Sequence, residues 1–225
     1  AGGRCGSFDV LEAVGAKIEL SPEQVGKTLN AVGLGFMFAP LYHPAMKHVM
    51  PVRKELGIRT IFNLLGPLTN PAFVRRQIMG VSDLEIAEKM VAVMQHLGHE
   101  RALVVHGEDG LDEITITGRT TIFDLKGGDI EHYEFDPTEL GLELAPFEEI
   151  TGGTIEQNAE IFIGILSGVI YGPKRNLVLV NAAAGFVLAD RSETMEGGLE
   201  LAMEVLDSGA AQEKFEEYVR LTKVL

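Results

Sequence analysis

Cysteine is almost absent: Cys5 stands alone in 225 residues, so no internal disulfide can form, which agrees with a reducing compartment. Long apolar runs are missing too. Nothing approaches the roughly 18 consecutive apolar residues of a membrane span, and no basic, then apolar, then small-residue leader opens the chain. The expectation is a cytoplasmic protein without a membrane partner. Basic residues are outnumbered, 19 against 33 acids, and the net charge of −14 argues against a nucleic-acid partner held by phosphate contacts. No G-x-S-x-G elbow occurs, Cys5 has no evident histidine and acid beside it, and the histidines show no zinc spacing. No nucleophile constellation therefore emerges.

What is present suits a packed interior: 46% of the residues are hydrophobic, enough for one large domain or two small ones. The opening "AGGRCGSFDV" has no initiator methionine and begins in a glycine-rich loop, so the chain is expected to be a piece of something longer. The few cations are not spread evenly. Between His43 and Arg76 the basic residues Lys47, Arg53, Lys54, Arg59, Arg75 and Arg76 face a single acid, Glu55, which makes this segment either an anion-binding surface or a solvated helix face.

Periodicity divides the chain into a helical front, a mixed middle and a helical end. Ser7 is placed to cap a short helix that Gly15 stops, and Ser21 with Pro22 opens a second that closes at Gly33. A third helix is expected over "YHPAMKHVMPVRKELG", kinked by Pro51, and "TIFNLLGPLTNPA" reads as a loop. "RQIMGV", "SDLEIAEKMVAVMQHLG" and "RALVV" form a strand, helix, strand unit, its helix showing Ile86, Met90, Val93 and Leu97 on one stripe. "EITITGRTTIFDL" and "DIEHYEFDP" alternate as hairpin strands around Gly118 and "KGGD", and the last seventy or so residues read as four helices. The pattern predicts an α/β fold, a sheet with flanking helices, plus part of a small all-helical domain.

In open α/β sheets ligands gather beyond the carboxyl ends of the strands, which draws attention to "VVHGEDGLDEI", residues 104–114. Its loop carries Glu108, Asp109, Asp112 and Glu113. Asp112 and Glu113 could hold a magnesium ion, which needs one or two protein carboxylates and takes its remaining oxygens from water and phosphate. A plain acidic turn facing water is the competing reading. At helical spacing His43, Met46, Met50 and Arg53 share one stripe, able either to wall a flat aromatic acid around a guanidinium or simply to face a core. The pair Gly152 and Gly153 is not followed by a phosphate-loop lysine, and Thr154 suits a helix cap there; Ser7 beside Gly6 is the better anion candidate.

Taken together, "GSFDVLEAVG", "FAPLYHPAMKHVMPVRKELGIRTIFNLLGPLTNPA" and "VVHGEDGLDEI" closely resemble the anthranilate phosphoribosyltransferases, with the likeness running on through "NAAAG" and "EGGLELA". The resemblance implies a fold like that of the nucleoside phosphorylases and these transferases, with residues 1–20 starting the α/β domain, 21–60 part of a small helical domain, and 61–225 the main α/β domain. It implies that Arg53 holds the anthranilate carboxylate, that His43, Gly66 and Pro67 surround the ring, that Ser7 contacts phosphoribosyl pyrophosphate, and that Asp112 and Glu113 bind Mg2+. It also implies a homodimer for the full-length protein. The family's GTGGD loop and K-H-G-N-R segment do not occur, so the chain is expected to be a C-terminal fragment with half of a two-substrate site and little activity alone. Phe8 stands where the family usually has a small residue. Two other readings are a pyrimidine nucleoside phosphorylase-like enzyme, disfavoured by "LLGPLTNP", and a non-enzymatic nucleic-acid-binding relative, disfavoured by the negative charge and the retained acid pair.

Overall fold

The structure is a computed structural model and describes residues 5–43 and 62–225. In chain order its helices and strands are α1 (Ser7–Ala13), α2 (Pro22–Val32), α3 (Ala39–Tyr42), α4 (Phe62–Leu68), β1 (Arg76–Gly80), α5 (Leu84–His96), β2 (Arg101–Gly107), β3 (Thr120–Lys126) and β4 (Asp129–Phe135). A 3-10 turn at Pro137–Leu140 follows, then α6 (Phe147–Ile150), α7 (Ile155–Leu166), α8 (Pro173–Leu188), α9 (Met195–Asp207) and α10 (Ala210–Val224). The expected helix over residues 42–57 falls almost wholly outside the described residues. Among the described residues, no helix is long and apolar enough to cross a membrane.

Contacts divide the chain into two compact units, one of residues 1–60, 152–170 and 206–225, the other of 61–151 and 171–205. Along the sequence the chain leaves the first unit and returns to it twice. A pattern read along the sequence has no term for such a return.

In the first unit, α1 packs on α7 and α2 on α10. Leu11, Val32, Phe215 and Tyr218 are the buried centre, with Phe8, Phe36 and Phe162 against them. Aromatic edges order this small core: Phe36 meets Tyr218 at 90° and Phe162 meets Phe215 at 70°, geometries that set the positive ring edge on a negative face. Phe8 lies against Phe38 with ring centroids 5.1 Å apart, so its bulk is absorbed by packing. Ser21 caps α2 as its sequence predicts, accepting from the Gln24 amide. Ser7 does not cap α1. Gly6 takes that place and Ser7 is the first helical residue, since the Asp9 carboxylate accepts from the Gly6 amide and closes the turn one residue earlier.

The second unit is built on a four-stranded sheet in the order β1-β2-β3-β4, with β1 and β2 parallel and the other pairs antiparallel. β2 is buried on both faces, and the two-residue period sorts its side chains. Ala102 and Val104 join Met79 and Leu125 under α5, while Leu103 and Val105 join Ile122 and the α8 residues Val180 and Ala184 on the opposite face. β4 is an exposed edge apart from Phe135. Its hairpin to β3 turns on Gly127 and Gly128, both at positive φ, as a two-residue hairpin of the mirror-image type demands.

Three expectations need correction here. The helix α4 runs through "FNLLGPL", with Pro67 inside it, where a loop is expected. Pro67 has no N–H to donate back along the helix, a loss confined to its last turn, and Thr69 just beyond the end donates its hydroxyl to the Leu65 carbonyl. The segment "EITIT" forms no strand: Ile114 and Ile116 are fully buried, and hydrogen bonds to side chains replace the ladder. In α5 the buried stripe is Ala87, Met90, Val91 and Met94, and Val93 and Leu97 are exposed.

Candidate functional site

The acid-rich loop follows β2 at its carboxyl end, and its four carboxylates fall into two kinds. Asp109 is consumed by the loop itself, accepting from the Leu111 amide at 3.0 Å and from the hydroxyls of Thr115 and Thr117 at 2.6 Å each. Burial by itself would raise its pKa; the three donors more than offset that and hold the carboxyl below its ordinary value. Glu108 accepts from the Arg119 amide at 3.1 Å. Asp112 and Glu113 are different. Both are exposed, and neither has a hydrogen bond or ion pair among the described residues.

Glu113 carries the electrostatic signature of an acid lacking a counter-charge. Desolvation of its carboxyl, and then the negative charge of Asp112, raise its pKa above the usual glutamate value. Two adjacent carboxylates held in this way repel each other until a cation shares them. In number and chemistry, two carboxylates without a partner on the protein match what a magnesium ion takes when it draws its other oxygens from water and phosphate. Among the described residues no three His, Cys, Asp or Glu side chains converge, so a metal cage made of protein alone is not offered there.

The loop is placed by main-chain contacts on both sides. On one side the Asp112 backbone lies against Gly80, the last residue of β1: a Cβ there would stand 1.6 Å from the Asp112 carbonyl oxygen. On the other, the Asn181 carboxamide of α8 accepts from the Ile114 amide at 3.0 Å and donates to the Ile114 carbonyl at 2.8 Å. The His106 ring, through Nδ1, hydrogen-bonds the Val81 carbonyl at 2.9 Å and ties the exits of β1 and β2 together. None of this bracing is read from the sequence in advance. One signal was available: Asn181 is a lone carboxamide in the apolar run "LVLVNAAAGF", and such a group needs partners.

The remaining expected site residues belong to several different elements. Pro67 lines a cleft of about 530 Å³ with Asn70, Pro71, Arg75, Gln77 and His99, and its carbonyl accepts from the Gln77 side chain at 3.0 Å, near the amino end of β1. Asp112 touches the other end of that strand. Gly66 is exposed in α4. Ser7 and His43 belong to the first compact unit, Ser7 exposed and His43 half-buried at the end of α3. Arg53, Met46 and Met50 lie outside the described residues. The paired glycines 152 and 153 are not open to an anion, because the amides of Gly153 and Thr154 already donate to Asn158 and Gln157.

Comparison with known proteins supplies what geometry alone does not. The chain is 46% identical over 227 residues to an anthranilate phosphoribosyltransferase of Dehalococcoides mccartyi, covering 100% of this chain and 66% of the relative. It is 49% identical over 222 residues to one from Rubrobacter xylanophilus, covering 99% and 65%. The crystal structure of the Thermus thermophilus anthranilate phosphoribosyltransferase superposes with a TM-score of 0.91 at 44% identity, over 98% of this chain and 65% of that one. The Saccharomyces cerevisiae enzyme in complex with PRPP and Mg superposes at 0.90 with 28% identity, over 98% and 63%. This chain thus spans about two thirds of the length of the proteins it matches. The model of the glycosyl transferase family, a/b domain, matches residues 1–212, and the chain belongs to that family.

Proposed function

We propose that the full-length protein containing this chain transfers the phosphoribosyl group of phosphoribosyl pyrophosphate to anthranilate, giving N-(5-phosphoribosyl)anthranilate and pyrophosphate in tryptophan biosynthesis. The observation that carries the reading is the division of the acid loop: Glu108 and Asp109 are spent on the loop, while Asp112 and Glu113 are presented without partners among the described residues. Relatives at 46% and 49% identity that bear this activity's name support it.

In the reaction the anthranilate amine forms a bond to the anomeric carbon, the bond from that carbon to the pyrophosphate oxygen breaks with its electron pair leaving on the pyrophosphate, and the amine gives up a proton to water or to the departing pyrophosphate. Bound at Asp112 and Glu113, Mg2+ would neutralise charge on the departing pyrophosphate. The chain's own residues bind and orient. In this assignment Arg53 takes the anthranilate carboxylate in a two-pronged hydrogen bond, His43, Gly66 and Pro67 border the ring, and Ser7 contacts phosphoribosyl pyrophosphate. No side chain of the chain is required as general base, because an aromatic amine held in line with the leaving group reacts through positioning. Residues 21–60 as part of a small helical domain, a homodimer, a cytoplasmic location and the lack of a nucleic-acid partner belong to the same proposal.

The test is loss of anthranilate fluorescence by the full-length protein with phosphoribosyl pyrophosphate and Mg2+. Turnover is expected in the wild type and not in the Asp112→Asn, Glu113→Gln double variant at limiting Mg2+. Undiminished turnover in the double variant overturns the metal assignment; phosphorolysis of a pyrimidine nucleoside in place of anthranilate consumption overturns the reaction.

A further inference from the structure

We infer that Asn181, on helix α8, is a positioning residue for the acid pair, acting through the main chain of Ile114 and touching neither substrate nor metal. The inference rests on the reading of Asp112 and Glu113 as magnesium ligands. Ile114 directly follows Glu113 and its side chain is wholly buried. Its backbone belongs to no strand, so its amide and carbonyl have no ladder partners. Asn181 supplies both: Oδ1 accepts from the Ile114 amide at 3.0 Å, and Nδ2 donates to the Ile114 carbonyl at 2.8 Å. The second Nδ2 hydrogen goes to the Leu177 carbonyl one helical turn back, at 2.9 Å, which fixes the carboxamide plane against its own helix.

This is a clamp that reads direction. A carboxamide turned over would set its NH2 against an amide donor and its oxygen against two carbonyls. The Ile114 peptide can therefore meet Asn181 in one sense only, and the peptide's orientation sets the line along which the preceding residue leaves. The opposite side of the loop is bounded by Gly80, whose α-carbon leaves just enough space for the Asp112 carbonyl. Asp112 and Glu113 thus sit between a polar clamp after them and a steric stop before them. Residues without other partners are delivered to fixed positions, which is the support that metal-binding carboxylates need from the groups behind them.

The substitution Asn181→Asp separates positioning from simple packing. The carboxylate is nearly isosteric, so it keeps the bond from the Ile114 amide while turning two carbonyl contacts repulsive. In the full-length protein, Asn181→Asp is expected to weaken Mg2+ binding, read by titration calorimetry with phosphoribosyl pyrophosphate present, and to raise the Mg2+ concentration for half-maximal activity, each about tenfold or more, the usual effect of losing a group that orients a metal ligand, with the anthranilate KM within about twofold of wild type. Asn181→Ser, which leaves room for a water to serve Ile114, is expected to shift it in the same direction by less. A folded Asn181→Asp variant with unchanged Mg2+ response overturns the proposal, as does a variant whose only defect is a lowered Tm. Should neither variant fold, Asn181 is a fold determinant and the proposal is likewise overturned. The Asp112→Asn, Glu113→Gln protein, run in parallel, distinguishes the two failures: an unaltered Mg2+ response there removes the metal reading itself, whereas a lost response there with no effect at Asn181 removes only the clamp.

Discussion

The guanidinium of Arg101 is buried at the start of β2 and donates from Nη1 to Oδ1 of Asp190 at 2.8 Å and to the Val187 carbonyl at 2.6 Å. Arg76 lies directly beside it in the β1–β2 register and also donates to Asp190. Two like charges opposite one another across a sheet repel, and Asp190, just past the end of α8, relieves them while fixing that helix to the strands. Arg101→Met should destabilise the second unit by about 2–3 kcal/mol, less than for a fully enclosed pair because Asp190 remains in contact with water. The midpoint of urea unfolding checks this; a change below about 0.5 kcal/mol would show that the network is ornamental.

The same carboxylate sets a pH dependence. The hydrogen bond from Arg76 is the chief cause holding the Asp190 pKa below its ordinary value, with Arg101 adding to it. A carboxyl depressed in the folded state binds fewer protons there than when unfolded. Its stabilisation is complete above the unfolded pKa and fades as pH falls through the depressed folded one. Asp190→Asn should therefore flatten the acid limb of Tm against pH, and lower Tm at neutral pH. Because Asp190 has φ 53 and asparagine accepts that backbone readily, the comparison isolates charge.

Much of the second unit is legible in its sequence because strands buried on two faces and glycine-turned hairpins leave strong local patterns. β1, α5, β2 and the β3–β4 hairpin all stand where periodicity puts them. The failures have a common physical origin: the deciding partner lies outside the segment whose pattern is read. "EITIT" alternates like a strand, yet Asn181 and Thr120 take the amides of Ile114 and Thr115. The acid loop is visible as composition, but which acids are spent depends on Thr115 and Thr117, whose hydroxyls point inward only because the loop folds back. Likewise nothing local tells that α7 and α10 rejoin the first helices.

The helix α5 gives a direct test of that lesson. A stripe of Ile86, Met90, Val93 and Leu97 stands out because it counts only large apolar residues, but the face laid on the sheet is set by Ala87, which is wholly buried and lets the helix approach. Met94→Ala should cost about 2–5 kcal/mol as a core truncation. Leu97→Ala, at a residue 56% exposed, should stay within about 0.5 kcal/mol. Equal effects in thermal or urea unfolding would return the stripe to the register that apolar periodicity favours.

Gly80 joins stability to the site. Its φ is not in the left-handed region, so glycine is required for space alone: an alanine methyl would have to occupy the position of the Asp112 carbonyl, and a backbone oxygen cannot swing aside as a side chain tip does. Gly80→Ala must push the Asp112 peptide off the end of β1, at a cost of about 1–3 kcal/mol for overpacking. The displaced peptide carries the acid pair with it. The variant should therefore lose Mg2+-dependent turnover well below its unfolding temperature, and raising Mg2+ should restore part of it. A Gly80→Ala protein that is less stable but keeps the wild-type Mg2+ response would mean that the loop moves without its carboxylates, and that the contact serves folding only.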